Sequence, residues 1–490
     1  MVKATNIKVS QIDNRNLSVD YPYLALLVGL ILLHLFCITK VGLAQVLSVF
    51  EALVVFLFLV QNKLSSAVLL FGVFILTNYD IKFFFAIPVG VDEVYNVSFL
   101  PAASVYFYLF ISFAIFVISV IRIIKYKIKF DNPFVKFALF TLIVSVPMGI
   151  LSFVSDGISF IAITRDIKTC VIPALWIISF FFLLVTDNKF LYRYEKLIIH
   201  ILLAYVVAGI LTAFVGFFLV RYERENILYL PLASFFFSSI VLFLNRLRLK
   251  SDRIFVIVLY AFTVIFQLFC DSCLAGKSWF VFVTVIIVGL YYFVQRVAIK
   301  GVMVKIVAVI VIVIAIGAFS SKIISFVNNS ENGKLLEFVS LFEGAQSGNL
   351  DDVDDSAQFR FLEFITISDY YRNHPQFLLL GKGIGGGVPN IGFFEYSETA
   401  FSDDQYKINR FSVMHESLNV IYLKYGLIGL IFFSCVLLSG FKRIKYDPLF
   451  YIGIIWLFFY WSYSVNLLFL GLPAFAIAYQ KLERCKINKY

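Results

Sequence analysis

The chain has 490 residues, of which 61% are hydrophobic and 15% are charged, and its formal net charge is +10. Soluble domains are about half apolar and about a quarter charged, so this composition excludes a soluble globular protein. The apolar residues occur in successive runs of roughly 20, the length that crosses a bilayer as a helix. The sequence therefore predicts an all-α, polytopic integral membrane protein.

The apolar runs predict about 14 transmembrane helices. Connectors rich in Lys and Arg mark the cytoplasmic side, and on this criterion both termini are cytoplasmic. Residues 80–99 are expected to form an external or re-entrant segment, and Arg165, Asp166 and Lys168 to lie in an external loop. The predicted spans are residues 21–39, 41–60, 64–79, 100–121, 133–153, 169–185, 197–220, 227–244, 254–270, 279–293, 306–319 and 417–439, with two shorter spans in 448–478 divided near 463–466.

One long break in hydrophobicity divides the chain into three regions. Residues 1–319 hold spans 1 to 11, residues 320–414 form one large external loop, and residues 415–490 hold spans 12 to 14 and a basic tail. The loop contains 7 Lys/Arg and 13 Asp/Glu, a net charge of −6, so the rest of the chain carries +16. This basic excess is typical of cytoplasmic connectors and requires no nucleic-acid partner.

The loop contains a helical pattern at 357–373 that ends before Pro375. Four aspartates precede it. Carboxylates at the start of a helix cap its free N–H groups and interact favourably with the helix dipole. The spacing of these aspartates is not that of a calcium-binding loop. The pattern is apolar around most of its circumference, which predicts a helix buried against other helices or the lipid interface. Arg360 on this helix needs an anionic partner, either Glu363 three residues later or a bound phosphate.

A glycine run follows at 381–387, with glycine at 381, 383, 385, 386 and 387. It matches GxGxxG formally, but no βαβ unit surrounds it, so a dinucleotide site is excluded. Glycines let backbone N–H groups approach a phosphate or a sugar closely. A flexible turn that leads back to the bilayer is the alternative.

Polar residues mark the start of the span at 417–439. On a helix, His415, Asn419 and Tyr422 share one face, and Lys424 lies about two turns inside the apolar run. An ionisable residue at that depth is costly and usually faces a polar cavity. The pattern predicts either a cavity that opens toward the loop or a structural hydrogen-bond cluster with a snorkelling lysine.

These motifs and their order resemble the O-antigen polymerase and ligase superfamily, which contains Wzy-type polymerases and WaaL-type ligases. The resemblance rests on Arg360, on Pro375-Gln-Phe-Leu-Leu-Leu-Gly381-Lys-Gly383, on His415-Glu-Ser-Leu-Asn and on Gly426-Leu-Ile-Gly429. It covers about 70 residues, and the hydropathy profile matches along the whole chain. The chain departs from the family pattern at Glu416, where asparagine is common, and at Gly276-Lys277-Ser278, where the family has glycine-serine-arginine.

The resemblance implies a glycosyltransferase of the bacterial inner membrane whose large loop is periplasmic. The donor would be a glycan on undecaprenyl diphosphate, and the hydroxyl of a second glycan would displace the lipid diphosphate. No cofactor and no metal are expected. The expected partners are the lipid-linked donor and acceptor, the bilayer, a chain-length regulator and a flippase.

The resemblance also implies roles for individual residues. Arg360 is expected to clamp the diphosphate, and His415 to act as the general base or to orient the hydroxyl, with Glu416 as its rival. The further substrate-binding candidates are the external cations and the polar or glycine residues of the motifs: Arg165, Arg221, Arg224, Lys277, Arg372, Arg410, Gly381, Gly383, Asn419 and Tyr422.

Two alternatives to a polymerase remain. A ligase would transfer the glycan to lipid A-core, but ligases of the family tend to be shorter, with about 12 spans. A flippase or other transporter of lipid-linked oligosaccharide belongs to a different class. It would need charged residues along a central path, and it would lack a single large external loop.

Overall fold

In the residues that it describes, a computed structural model of the chain contains thirteen α-helices, one π-helical segment and one 3₁₀ helix (Pro375–Phe377). The described residues are 18–38, 41–77, 102–128, 132–156, 160–219, 242–243, 246–247, 249–269, 355–390, 409–412, 414, 416–444, 446–460 and 465–487. The helices are α1 (Tyr21–Ile38), α2 (Val41–Val60), α3 (Leu64–Thr77), α4 (Ala102–Tyr126), α5 (Pro133–Asp156), α6 (Phe160–Asp166), α7 (Ile172–Thr186), α8 (Asn188–Leu219), α9 (Lys250–Phe269), α10 (Asp355–Asn373), α11 (Ser417–Phe441), α12 (Leu449–Tyr460) and α13 (Val465–Ile487).

The described part of the chain is that of a helical membrane protein. Four of its helices are long and apolar enough to cross a bilayer: Tyr106–Tyr126, Pro133–Ser155, Ala162–Thr186 and Ser417–Phe441. The predicted all-α membrane class is confirmed at this level. The count of about 14 spans and their orientation stay predictions, because residues 78–101 and 270–354 and most of 220–245 lie outside the described residues.

The external loop expected around Asp166 is helical instead. Helix α6 ends at Asp166, a π-helical turn spans Ile167–Val171, and α7 follows at once. The extra residue in a π turn absorbs an insertion without breaking the helix, and such turns are frequent at functional sites. Asp166 is 5% exposed, so the chain carries an acidic side chain into the bundle at this point.

Aromatic packing between α7, α8 and α13 forms a large part of the core. Trp176 is fully buried, and its ring lies 4.9 Å from Phe180, 5.6 Å from Tyr194 and 4.5 Å from Phe469. The Tyr194 hydroxyl donates to the Phe469 carbonyl at 3.1 Å, so this buried polar group has its partner. Each such ring buries about 150–250 Å², which makes this contact a main anchor of the helix bundle.

One end of the bundle gathers the connectors that follow α2, α4 and α7. Arg122 near the end of α4 donates to Asn62 in the α2–α3 turn at 2.5 Å. Ser65 at the start of α3 donates to Asp187, between α7 and α8, at 3.1 Å. The sequence assigns all these connectors to the cytoplasm, and their contacts place them at one end of the bundle.

Helix α11 is broken within its apolar run. Gly426 has φ 62° and ψ −161°, which a side chain would strain. The break leaves the last carbonyl groups of the first half without helical partners. Their hydrogen-bond donors come from the glycine turn, which is defined here as residues 381–387. The N–H of Lys382 donates to the Leu423 carbonyl at 2.9 Å, and the N–H of Gly383 donates to the Lys424 carbonyl at 3.0 Å.

The second half of α11 is capped from the same segment. The N–H of Leu427 donates to the Leu378 carbonyl at 3.0 Å, and the N–H of Ile428 donates to the Leu379 carbonyl at 3.1 Å. At 1.5 Å per residue, Leu427 lies about 15 Å along the helix from Ser417. Non-helical backbone at such depth is tolerated only where protein surrounds it, so the broken helix and the glycine turn depend on each other.

The change Gly381→Ala is expected to lower the stability by at least about 2 kcal/mol, because Gly381 has φ +70° and a Cβ would lie 2.4 Å from the backbone carbon of Lys424. Gly29→Ala in α1 is the matched control, since no atom lies within 4 Å of its Cβ. Alanine is the better helix former, so the control should be neutral or stabilising by up to about 1 kcal/mol. Thermal unfolding in detergent measures both, and equal melting temperatures would refute the packing argument.

Candidate functional site

An ion pair joins the loop helix α10 to the start of α11. The Nε atom of Arg360 lies 2.9 Å from Oε1 of Glu416, and the two side chains are 27% and 25% exposed. The sequence left Glu363 or a bound phosphate as the partner of Arg360, and the structure adds Glu416 as a third. Two residues far apart in the sequence, the loop arginine Arg360 and Glu416 at the start of α11, therefore meet at one point.

The side-chain amide of Asn419 holds the two helices in this arrangement. Its Nδ2 donates to the carbonyl of Arg360 at 2.8 Å and to Oε2 of Glu363 at 2.9 Å. Asn419 is 5% exposed and Glu363 is fully buried. A buried carboxylate requires such partners, so Glu363 fixes the amide and the amide fixes the backbone that carries Arg360. Asn419, a predicted substrate contact, has a positioning role here.

Two tyrosines extend the contact between α10 and α11. The Tyr371 hydroxyl donates to the carbonyl oxygens of Leu423 at 2.7 Å and of Tyr422 at 3.2 Å. Burial raises the pKa of Tyr371 well above its ordinary value, so the hydroxyl remains a donor at every physiological pH. The Tyr422 ring stacks on Phe364 with centroids 5.2 Å apart. The last turn before the helix break is thus anchored to the loop helix.

Lys424 forms a buried ion pair with Asp166. Its Nζ lies 2.6 Å from Oδ2 of Asp166, and the side chains are 2% and 7% exposed. Lys424 also donates to the Gly386 carbonyl at 2.8 Å, and the N–H of Gly385 donates to the same carboxylate oxygen at 2.5 Å. The lysine therefore neither snorkels nor faces an open cavity. It ties α6, α11 and the glycine turn together.

Lys382 anchors the glycine turn to the loop helix. It is 1% exposed, and its Nζ donates to the Tyr370 hydroxyl at 2.8 Å. The ammonium lies 4.2 Å from the centroid of the Tyr370 ring and 4.9 Å from that of Phe377, which is the geometry of a cation–π contact. The Lys382 carbonyl accepts from Ser152 of α5 at 2.6 Å, so α5 is also fixed to the turn.

The backbone N–H groups of residues 381–386 in the glycine turn all donate to acceptors within the protein. The N–H of Gly381 donates to Phe377 at 2.8 Å, that of Gly383 to Lys424, and that of Ile384 to Ser145 of α5 at 3.1 Å. Gly381 and Gly383 are buried. In this conformation the glycines serve close packing, and contact of their N–H groups with phosphate stays a prediction that requires the turn to open.

The other predicted site residues are distributed as follows. Arg372 is exposed at the end of α10, and Arg410 is partly exposed beside the turn, where its Cγ lies 2.8 Å from the Cβ position of Gly387. Arg165 belongs to α6, next to the buried Asp166. The residues that lie outside the described part of the chain are His415, Arg221, Arg224 and Lys277.

Sequence reasoning missed a second polar cluster within apolar helices. Nε2 of His34 in α1 lies 2.6 Å from Oε1 of Glu51 in α2, and the Tyr108 hydroxyl of α4 donates to Oε2 of Glu51 at 2.8 Å. His34 and Glu51 are each 2% exposed. Ionisable residues within apolar runs are the signal that could have found both this cluster and Asp166.

Among the described residues, no group of three or more His, Cys, Asp or Glu side chains is placed to hold a metal ion. Comparison of the chain with models of protein families gave no match. Comparison with curated proteins also gave no match. The family resemblance therefore enters the functional argument only as a proposal.

The change Lys424→Met is expected to lower the stability by about 3–5 kcal/mol, because it leaves the Asp166 carboxylate buried without its cation. Removing both charges in Asp166→Asn with Lys424→Met should recover part of this loss. Lys442→Met at the exposed end of the same helix is the control and should change the stability by less than about 0.5 kcal/mol. Denaturant unfolding in detergent measures all three, and a single mutant as stable as the control would contradict the buried pair.

Proposed function

We propose that the chain is a glycosyltransferase that polymerises undecaprenyl-diphosphate-linked oligosaccharide repeat units into O-antigen or capsular polysaccharide. It would act at the periplasmic face of a bacterial inner membrane, with both termini cytoplasmic. The observation that carries the proposal is the ion pair at 2.9 Å between Arg360 and Glu416, the residue after His415. The arginine expected to clamp the diphosphate thereby contacts the residue that follows the expected base in the sequence.

In the proposed reaction, one bond forms and one bond breaks at the anomeric carbon of the donor. The acceptor hydroxyl forms a bond to the anomeric carbon of the donor, the bond from that carbon to the diphosphate oxygen breaks, and undecaprenyl diphosphate leaves with the electron pair. Arg360 would stabilise the charge that develops on the leaving diphosphate, since a planar guanidinium binds phosphate oxygens in pairs. The partial exposure of Arg360 and Glu416 supports access by a ligand that competes with Glu416 for the arginine.

The ion pair bears on the choice between the two candidates for the base. Oε1 of Glu416 is engaged by the guanidinium of Arg360, so in this arrangement it is not available to an acceptor hydroxyl. Glu416 therefore serves as the counter-ion that holds Arg360 before the donor binds. His415 is left as the general base or hydroxyl orienter, with an imidazole suited to proton transfer near neutral pH.

The residues around the Arg360–Glu416 pair favour catalysis by fixed, preorganised groups. Asn419 holds the backbone of Arg360, and the Lys424–Asp166 pair and the glycine turn hold the helix that begins after Glu416. Preorganised donors are more effective than mobile ones because they need no reorganisation during the reaction. A chain-length regulator and a flippase would be its partners in the pathway.

A transporter of lipid-linked oligosaccharide is the second candidate. The observations that favour it are the buried ion pairs His34–Glu51 and Lys424–Asp166, because ionisable residues inside membranes often mark transport paths. A ligase would use the same chemistry on another acceptor. Deleting the gene and analysing surface glycan on gels separates the three. Lipid A-core with a single unit indicates a lost polymerase, core without any unit and long lipid-linked polymer indicates a lost ligase, and lipid-linked units retained on the cytoplasmic face indicate a lost transporter.

Replacing Arg360 by alanine is expected to abolish polymer while the membrane level of the protein stays normal. Loss of one oxyanion-stabilising donor typically slows a reaction about 10²–10³-fold. Lys442→Ala, which removes an equal charge from the far end of α11, should leave polymer unchanged. The readout is the length distribution of surface glycan on gels, and wild-type polymer from the Arg360 variant would exclude this residue from the mechanism.

Glu416→Gln and His415→Gln should differ. The glutamine at 416 keeps the size and loses the charge, so we expect polymer to form, with transfer slowed by about tenfold or less. The glutamine at 415 removes the base and should slow transfer by about 10²–10⁴-fold. Transfer rates with purified lipid-linked donor test this, and the opposite order of rates would make Glu416 the base.

A further inference from the structure

A cavity of about 550 Å³ lies where the α2–α3 turn meets the ends of α4 and α7. Its lining includes Lys63, Ser66, Arg122 and Asp187, over apolar side chains such as Phe182. The volume falls within the range of about 300–1,000 Å³ that is usual for ligand sites. The cavity lies at the C-terminal end of α4, whereas the glycine turn contacts the C-terminal half of α5, so the two sites lie at opposite ends of the bundle.

The charges of the lining favour an anionic ligand. Asp187 is engaged by three donors: its Oδ1 accepts the N–H groups of Lys189 at 2.9 Å and Phe190 at 3.1 Å, and its Oδ2 accepts the Ser65 hydroxyl at 3.1 Å. The carboxylate thus caps the start of α8. These hydrogen bonds and the positive end of the α8 dipole stabilise its negative charge.

The two cations of the lining are less committed. The described contact of the Arg122 guanidinium is the bond from Nη2 to Asn62, and a guanidinium has five N–H donors. Lys63 donates to the exposed Gln61 at 2.9 Å, a surface contact that a stronger acceptor can replace. The cavity therefore has a positive balance and spare donors, together with the hydroxyl groups of Ser66 and Tyr126.

The two helices next to the cavity, α2 and α4, also expose apolar side chains in their last turns. The last turn of α2 exposes Leu57 and Val60, and the last turns of α4 expose Ile121 and Ile124 by 60% and 71%. Tyr126 is 60% exposed at the same level, where aromatic side chains mark the membrane interface. A ligand at this site would have its charged part in the cavity and its apolar part along these helices. A free phosphate ion has no apolar part.

We propose that this cavity binds the phosphate headgroup of an anionic glycerophospholipid in the leaflet on the side of the Lys- and Arg-rich connectors. Basic pockets between transmembrane helices on the cytoplasmic side are suited to such headgroups. Arg122 and Lys63 would bind the phosphate oxygens, and the hydroxyl of Ser66 would donate to the phosphate or to a polar headgroup group. The acyl chains would lie along α2 and α4. This site is independent of the proposed glycosyl transfer at the other end of the bundle.

Native mass spectrometry of the full chain in detergent, titrated with phosphatidylglycerol or phosphatidylcholine, tests the site. Each cation near the membrane surface contributes about 1 kcal/mol, so Lys63→Gln with Arg122→Gln should weaken phosphatidylglycerol binding about 30-fold. The matched control is Lys125→Gln with Lys127→Gln, which removes the same charge from exposed positions next to the cavity. It should change the affinity by less than about threefold, and equal losses in both pairs would overturn the site in favour of general surface charge.

A second pair of variants keeps both cations in place. Ser66→Asp adds a negative charge to the lining, and Ser66→Asn adds similar volume without charge. We expect only the aspartate to displace phosphatidylglycerol, and displacement by both or by neither would overturn the assignment. Inorganic phosphate and glycerol phosphate serve as competitors. Release of bound phosphatidylglycerol by either one at micromolar concentration would show a site for a soluble anion rather than for a lipid.

Discussion

The fold of the described region depends on one constraint: backbone N–H and C=O groups within an apolar bundle must find partners inside the protein. Helix α11 breaks this rule locally at Gly426, and residues 378–383, which include the start of the glycine turn, restore it with four backbone hydrogen bonds, two on each side of the break. Neither element is stable without the other. The glycines at 381 and 383 are required because side chains there would collide with the backbone of α11 or α5.

This mutual capping connects distant parts of the chain. The glycine turn follows directly after α10, which carries Arg360, and it meets the helix that begins after Glu416. Arg360 and Glu416 can therefore approach within 2.9 Å although 55 residues separate them in the sequence. The buried pair of Lys424 and Asp166 adds a third attachment, to α6. The positions of the functional groups are set by contacts deep within the bundle.

The polar groups of the bundle divide by location. At one end, Arg360 and Glu416 are partly exposed and accessible to a ligand, and at the other end Arg122 and Lys63 line a cavity at the expected lipid headgroup level. Other pairs, such as His34 with Glu51, are buried within the helices. Buried pairs of this kind contribute little net stability, because desolvation offsets their attraction, but losing one partner is costly. They restrict which helices can pack together.

The membrane class and the limits of some described helices, such as α2 (Val41–Val60), follow from the sequence alone, because apolar length and charged connectors are local properties that a bilayer selects. The sequence predicted the start of α11 at residue 417 and the end of α10 before Pro375, and both agree with the structure. Only the tertiary structure decided the partners of Arg360 and Lys424, the break at Gly426 and the buried place of Asp166. Those features depend on backbone and side-chain contacts between segments far apart in the chain, and no local pattern encodes which carbonyl or carboxylate a donor will meet.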